Sequence, residues 1–149
     1  MKLPGNRDKK IIDGTHRIVF YLLPLLGLAF LLWYIKNAAC DVVYSDYIRL
    51  VNSYLPDVFN PEKFFVADVL TRIPINYLSR IINVKFFGFS ITFDRVLGAV
   101  SVSLAAWCFA AYSRQLKINI KWFITFMIVM FSLNKWEMLT NGSGWSHFF

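Results

Sequence analysis

Asp41, Asp46 and Asp57 fall within DVVYSDYIRLVNSYLPD (41–57), beside Tyr44 and Tyr47. A few residues earlier ends an uncharged apolar run long enough to cross a bilayer. A carboxylate held at a membrane boundary can take the proton of a hydroxyl acceptor as a general base. Asp46 lies near the start of a short helical pattern, where the positive end of the helix dipole favours its charge. Asp41 is closer to the apolar run, and partial desolvation there would raise its pKa. Ordinary uses compete, because acids in surface loops solvate the loop or cap helices. Asp46 is the first candidate catalytic residue and Asp41 the second.

The rest of the chain carries little other chemistry. It contains no Walker-type phosphate loop, nucleophile elbow, HExxH or CxxC, and no cofactor is expected. His16 and His147 are far apart, so no metal site is expected from them. Cys40 and Cys108 lack metal-ligand spacing and read as buried or interfacial free thiols. NGSG (141–144) reads as a turn rather than an anion nest. Trp136, Trp145, Phe148 and Phe149 read as interfacial anchors. Arg49, Arg72, Arg80 and Arg95 can each meet a lipid phosphate, although headgroup solvation is the commoner use.

The elements that must position these residues belong to a membrane. Only 17% of the 149 residues are charged while 57% are hydrophobic, too little charge to cover a soluble domain of this size. The net charge of +7 does not form one basic patch, so nucleic acid is not an expected partner. The basic residues instead cluster beside apolar runs, as membrane topology requires.

Three runs are candidate spans. The first, 18–35, is IVFYLLPLLGLAFLLWYI, enough for about 27 Å of helix. Pro24 and Gly27 are tolerated better in a spanning helix than in a soluble one. Its Trp33-Tyr34 ending favours a retained helix over a cleaved signal peptide. The second, 96–112, is rich in Ala, Ser and Gly, which allow close helix packing in lipid. The third, 122–134, is short; Lys121 and Lys135 can extend it by snorkelling, and a re-entrant or interfacial helix competes.

Lys2, Arg7, Lys9, Lys10 and Arg17 precede the first run, and Arg114, Lys117 and Lys121 separate the second from the third. Both flanks therefore read as cytoplasmic. Residues 36–95 carry seven basic and six acidic side chains and so face outward. The expected layout is an all-α integral membrane protein of the cell membrane. It has a cytoplasmic N-terminus (1–17), a first span (18–35) and an outer loop (36–95). A second span (96–112), a cytoplasmic loop (113–121), a short third span (122–134) and an outer C-terminal segment (135–149) follow.

The outer loop has helical patterning. In 46–55 the apolar positions Tyr47, Ile48, Leu50, Val51, Tyr54 and Leu55 oppose Asp46, Arg49, Asn52 and Ser53. Asn60-Pro61 reads as a cap and first-turn proline, with Phe65, Val69 and Ile73 on one face beyond. Pro74 restarts the chain with a stripe of Ile75, Leu78, Ile81 and Ile82, leaving Arg80 and Lys85 off it. Gly88 breaks that pattern, and Ser90 or Thr92 caps the next helix. These segments read as amphipathic helices lying on the outer membrane surface.

TRIPINYLSRI (71–81) and FFGFSITFDRVLGAVSVSLA (86–105), with YSDY before them, resemble stretches of the GT-C-type membrane glycosyltransferases. The second matches a G-x-S-x-x-x-x-R entry into a span through Gly88, Ser90 and Arg95. The resemblance implies transfer of a sugar from a polyprenyl-phosphate donor on the outer or luminal side. It implies that Asp46 is the essential aspartate, with Asp41 second, and adds Arg95 and Tyr47 as candidate substrate-binding residues. Ser45 stands where that family often has a second acid. The family also has more spans than three, so this chain reads as a piece of a longer protein, inactive alone. Expected partners are membrane lipid, a polyprenyl-phosphate sugar and other transmembrane helices. The alternative is a small non-catalytic membrane protein that assembles with partner membrane proteins.

Overall fold

The computed structural model describes residues 6–38, 48, 58–62 and 74–141. Every regular element among them is helical, and no strand occurs among the described residues. Among the described residues, two helices are long and apolar enough to cross a membrane.

The first, α1 (Asn6–Ala38), runs unbroken through Pro24. It buries Phe20, Pro24, Gly27, Leu31 and Ile35, a spacing that keeps one stripe turned inward. Its other faces carry exposed Ile18, Tyr21, Leu22, Leu25, Leu26, Phe30 and Trp33. Hydrophobic residues thus line the outside of this helix as well as the inside.

The next described helix, α2 (Pro74–Phe87), starts at the expected proline. Its buried positions are Tyr77, Ser79, Arg80 and Asn83. Leu78, Ile82, Phe86 and Phe87 are exposed. The Tyr77, Arg80, Asn83 spacing brings these three onto one face. That face lies inward because each of them has a polar partner within the fold, described below.

Helix α3 (Ile91–Gln115) begins five residues before the apolar run expected to span, and so includes Asp94 and Arg95. Ser90 caps it, accepting from the Phe93 N–H at 3.4 Å. Gly98, Ala99, Ser101, Ser103, Ala106 and Ala110 are buried, so small side chains set its approach to its neighbours. A tight turn leads to α4 (Ile120–Met130), capped by Asn119, whose Oδ1 accepts from the Lys121 N–H at 3.0 Å.

The expected third crossing differs. Helix α4 has 11 residues, about 16 Å of rise and roughly half a hydrocarbon core. It stops where the Phe131 and Ser132 N–H groups close on Met127 and Val129, and the Ser132 hydroxyl also donates to the Val129 carbonyl. A 3-10 turn (Leu133–Lys135) and α5 (Trp136–Asn141) follow.

Aromatic rings fix the directions. Phe20 of α1 meets Phe123 at 4.1 Å between centroids, and Gly27 faces Phe131, so α4 runs parallel to α1. Phe109 of α3 stacks on Phe123 at 6.1 Å and meets Phe126 edge-on at 5.4 Å. Arg95 reaches Thr140, so α3 runs antiparallel to this whole course. The core combines Leu31, Ile35, Ala99, Val102, Ala106, Met127 and Leu139 with these rings.

Candidate functional site

Buried polar side chains gather at one end of the bundle, where α2 meets the start of α3. The turn between them places Gly88 at φ 60° and Phe89 at φ 64°. Glycine accepts that conformation freely; Phe89 does so at a cost of roughly 1–2 kcal/mol. Asn83, fully buried, holds the turn. Its carbonyl accepts from the Phe89 N–H at 3.2 Å. Its Nδ2 donates to the Ser90 carbonyl at 2.9 Å, and its Oδ1 accepts from the Ser90 N–H at 2.8 Å. Fixing Ser90 this way presents its hydroxyl to the first turn of α3.

One turn before Asn83, Arg80 donates through Nη1 to Asp94 Oδ2 at 2.5 Å. Both side chains are almost wholly buried. Asp94 also lies in the first turn of α3, where the helix dipole favours a carboxylate. Arg95, 2% exposed, donates through Nε to the Thr140 carbonyl at 2.5 Å. That carbonyl belongs to the last turn of α5, whose end groups lack intrahelical partners, so a cation there satisfies an orphan acceptor. The Thr140 hydroxyl donates to the Trp136 carbonyl at 2.9 Å. On the other side the Tyr77 hydroxyl donates to the Asn60 carbonyl at 2.9 Å, tying 58–62 to α2. Asn60 Oδ1 accepts from the Glu62 N–H at 3.0 Å, the cap expected there.

Of the residues singled out in the sequence, Arg95 lies inside this layer, and its Nε serves the packing of α3 on α5. Gly88 and Ser90 form the turn and cap that lead to it. Asp46, Asp41 and Tyr47 lie outside the described residues, as do most of 46–55, all of 63–73 and the segment 142–149. Ile48 is helical and exposed. Arg80, off the apolar stripe as expected, is buried, because its guanidinium neutralises Asp94. The Arg80–Asp94 pair and Asn83 escaped the sequence reading. Two signals pointed to them: polar residues at i, i+3, i+6 along one face of the helix, and an Asp beside the start of an uncharged run.

The opposite end of the bundle is basic. Arg114 donates through Nη1 to the Tyr21 hydroxyl at 2.5 Å, and the Trp107 indole N–H reaches the Tyr21 carbonyl at 3.3 Å. Arg17, Lys117 and Lys121 lie at the same end. Cys108 is an exposed free thiol between the two layers. Among the described residues, no His, Cys, Asp and Glu side chains converge in a group that could hold a metal ion.

No family model, curated protein or solved structure matches this chain.

Proposed function

We propose that this chain is an integral-membrane helical module that acts on a lipid-linked sugar at the outer membrane face. The observation that carries the membrane part is the spacing of its charges. Arg17 and Lys36 on α1 are 19 positions apart, as are Arg95 and Arg114 on α3, with no ionisable acid or base other than Tyr and Cys between them. Nineteen residues of helix rise about 28 Å, close to the thickness of a hydrocarbon core. The flanks of that interval are polar, and the faces between them are apolar outward. An outward polar α2 would suit a soluble protein; here the polar face is inward and Leu78, Ile82 and Phe86 are outside.

The transferase part rests on the resemblance to GT-C-type enzymes. Asp46 takes the proton of the acceptor hydroxyl. The freed oxygen attacks the anomeric carbon, and the bond from sugar to phosphate breaks, releasing polyprenyl phosphate. Tyr77 of α2 ties down Asn60, which belongs to the stretch of chain that also carries Asp46. Assembly with partner helices, the competing reading, drew on the small residues of α3. Those residues pack within this chain, against α1 and its neighbours.

The test is Asp46→Asn in the longest natural context, assayed for transfer from a polyprenyl-phosphate sugar in membranes. Loss of transfer with normal membrane accumulation is expected; an undiminished rate would remove Asp46 from the reaction.

A further inference from the structure

A cavity of about 860 Å³ opens at the basic end, lined by Arg17 and Phe20 of α1, Ser113 and Arg114 of α3, and Lys117 and Asn119 of the turn. Among the described residues no carboxylate lines it. Three cations, Arg17, Arg114 and Lys117, therefore line one space.

Ser113 supplies an independent observation. Buried serines in α3 ordinarily turn their hydroxyls back on the helix. Ser101 donates to the Leu97 carbonyl at 2.8 Å and Ser103 to the Ala99 carbonyl at 3.0 Å. Ser113 is equally buried, yet its Oγ has no partner among the described residues. A buried hydroxyl left unpaired costs on the order of 1–3 kcal/mol, so this one is held ready for an acceptor.

The backbone of the turn prepares the same place. The Lys117 N–H closes on the Arg114 carbonyl at 3.2 Å and the Ile118 N–H on Ser113 at 2.9 Å, a Schellman ending. This ties up the α3 carbonyls that would repel an anion. Lys117 occupies the left-handed position of that motif, φ 52°, where glycine is the easy choice. Arg114 is pre-oriented by Tyr21, and the start of α4 adds the positive end of a helix.

We propose that this cavity binds a phosphate group, held by Arg17, Arg114 and Lys117 with the Ser113 hydroxyl as donor. A lipid headgroup and free phosphate share that chemistry. The headgroup source rests on the membrane reading above; binding of free phosphate does not.

The test uses the full chain. Inorganic phosphate is titrated calorimetrically in detergent, and retention of phosphatidic acid against phosphatidylcholine is read by native mass spectrometry from nanodiscs. Preferential retention of phosphatidic acid identifies a headgroup; saturable phosphate binding without lipid preference identifies the free anion. In either arm Lys117→Gly is expected to weaken binding about fivefold, and Arg17→Gln with Lys117→Gly about 25-fold. Glycine eases the turn, so the loss is not one of folding. Ser113→Ala weakens binding without lowering the unfolding temperature. Lys85→Gln, on α2 near the opposite end, leaves it unchanged. No saturable binding in either arm, or equal weakening by Lys85→Gln, overturns the proposal. Saturable phosphate binding by a chain that cannot enter nanodiscs would retain the site and remove the membrane reading.

Discussion

Phe131 lies directly over Gly27: a Cβ at Gly27 would meet three atoms of the Phe131 ring at 2.4–2.5 Å. The end of α4 therefore docks on α1 only because residue 27 has no side chain. Gly27→Ala is expected to destabilise the bundle by about 1–3 kcal/mol through overpacking, less the small helix-propensity gain of alanine. Phe131→Leu in the Gly27→Ala background should return part of the loss. Thermal unfolding in detergent checks both; an unchanged midpoint for Gly27→Ala would contradict the docking.

The Arg80–Asp94 pair joins α2 to α3 in a place water does not reach. Removing one partner leaves a buried charge, so Arg80→Met or Asp94→Leu alone is expected to cost about 3–5 kcal/mol. The two together should be markedly less harmful than the sum of the singles, since apolar pairs often replace buried ion pairs at little cost. A double-mutant cycle on unfolding free energies measures this. Additive losses would mean the two side chains act separately.

Asn83 satisfies both backbone groups of Ser90 and supports a left-handed Phe89. Asn83→Ala strands a buried donor and acceptor and is expected to cost about 2–4 kcal/mol. Asn83→Asp keeps the acceptor but loses the Nδ2 donor and buries a charge, so it should be no milder. Phe89→Gly should partly offset either change by relieving the turn. Hydrogen exchange at the Ser90 and Phe93 amides is the direct readout, with faster exchange expected at both.

Cys108 tests the surface of α3. It is exposed on the outside of the bundle, in the uncharged interval between Arg95 and Arg114. With Cys40→Ser to leave one thiol, a charged maleimide should label Cys108 poorly in intact membranes and readily after detergent is added. A neutral, membrane-permeant maleimide should label it in both. Rapid labelling by the charged reagent in membranes would place this face in water.

The amino-acid sequence by itself determined that the apolar runs are helical and where α2 and α3 start. An uncharged run of branched and aromatic residues must close its own backbone hydrogen bonds. Pro74 can begin a helix but not continue one, and Ser90 offers a hydroxyl to the amides after it. The starts of α2 and α3, the small-residue character of α3 and the basic flanks follow from such local facts. Other features depend on residues distant in the chain. Nothing near Gly27 announces Phe131, and nothing near Arg80 announces Asp94. The apolar stripe of α2 was legible, but apolar periodicity alone does not tell which polar residues opposite it will be buried. Where apolar side chains are tolerated outside, the polar residues that need partners decide the orientation. Only the tertiary structure brought Asn83 to Ser90, Arg95 to Thr140, and Arg17 to the turn carrying Lys117. Hydrogen bonds and charges act at contact distance, and the fold alone sets those distances.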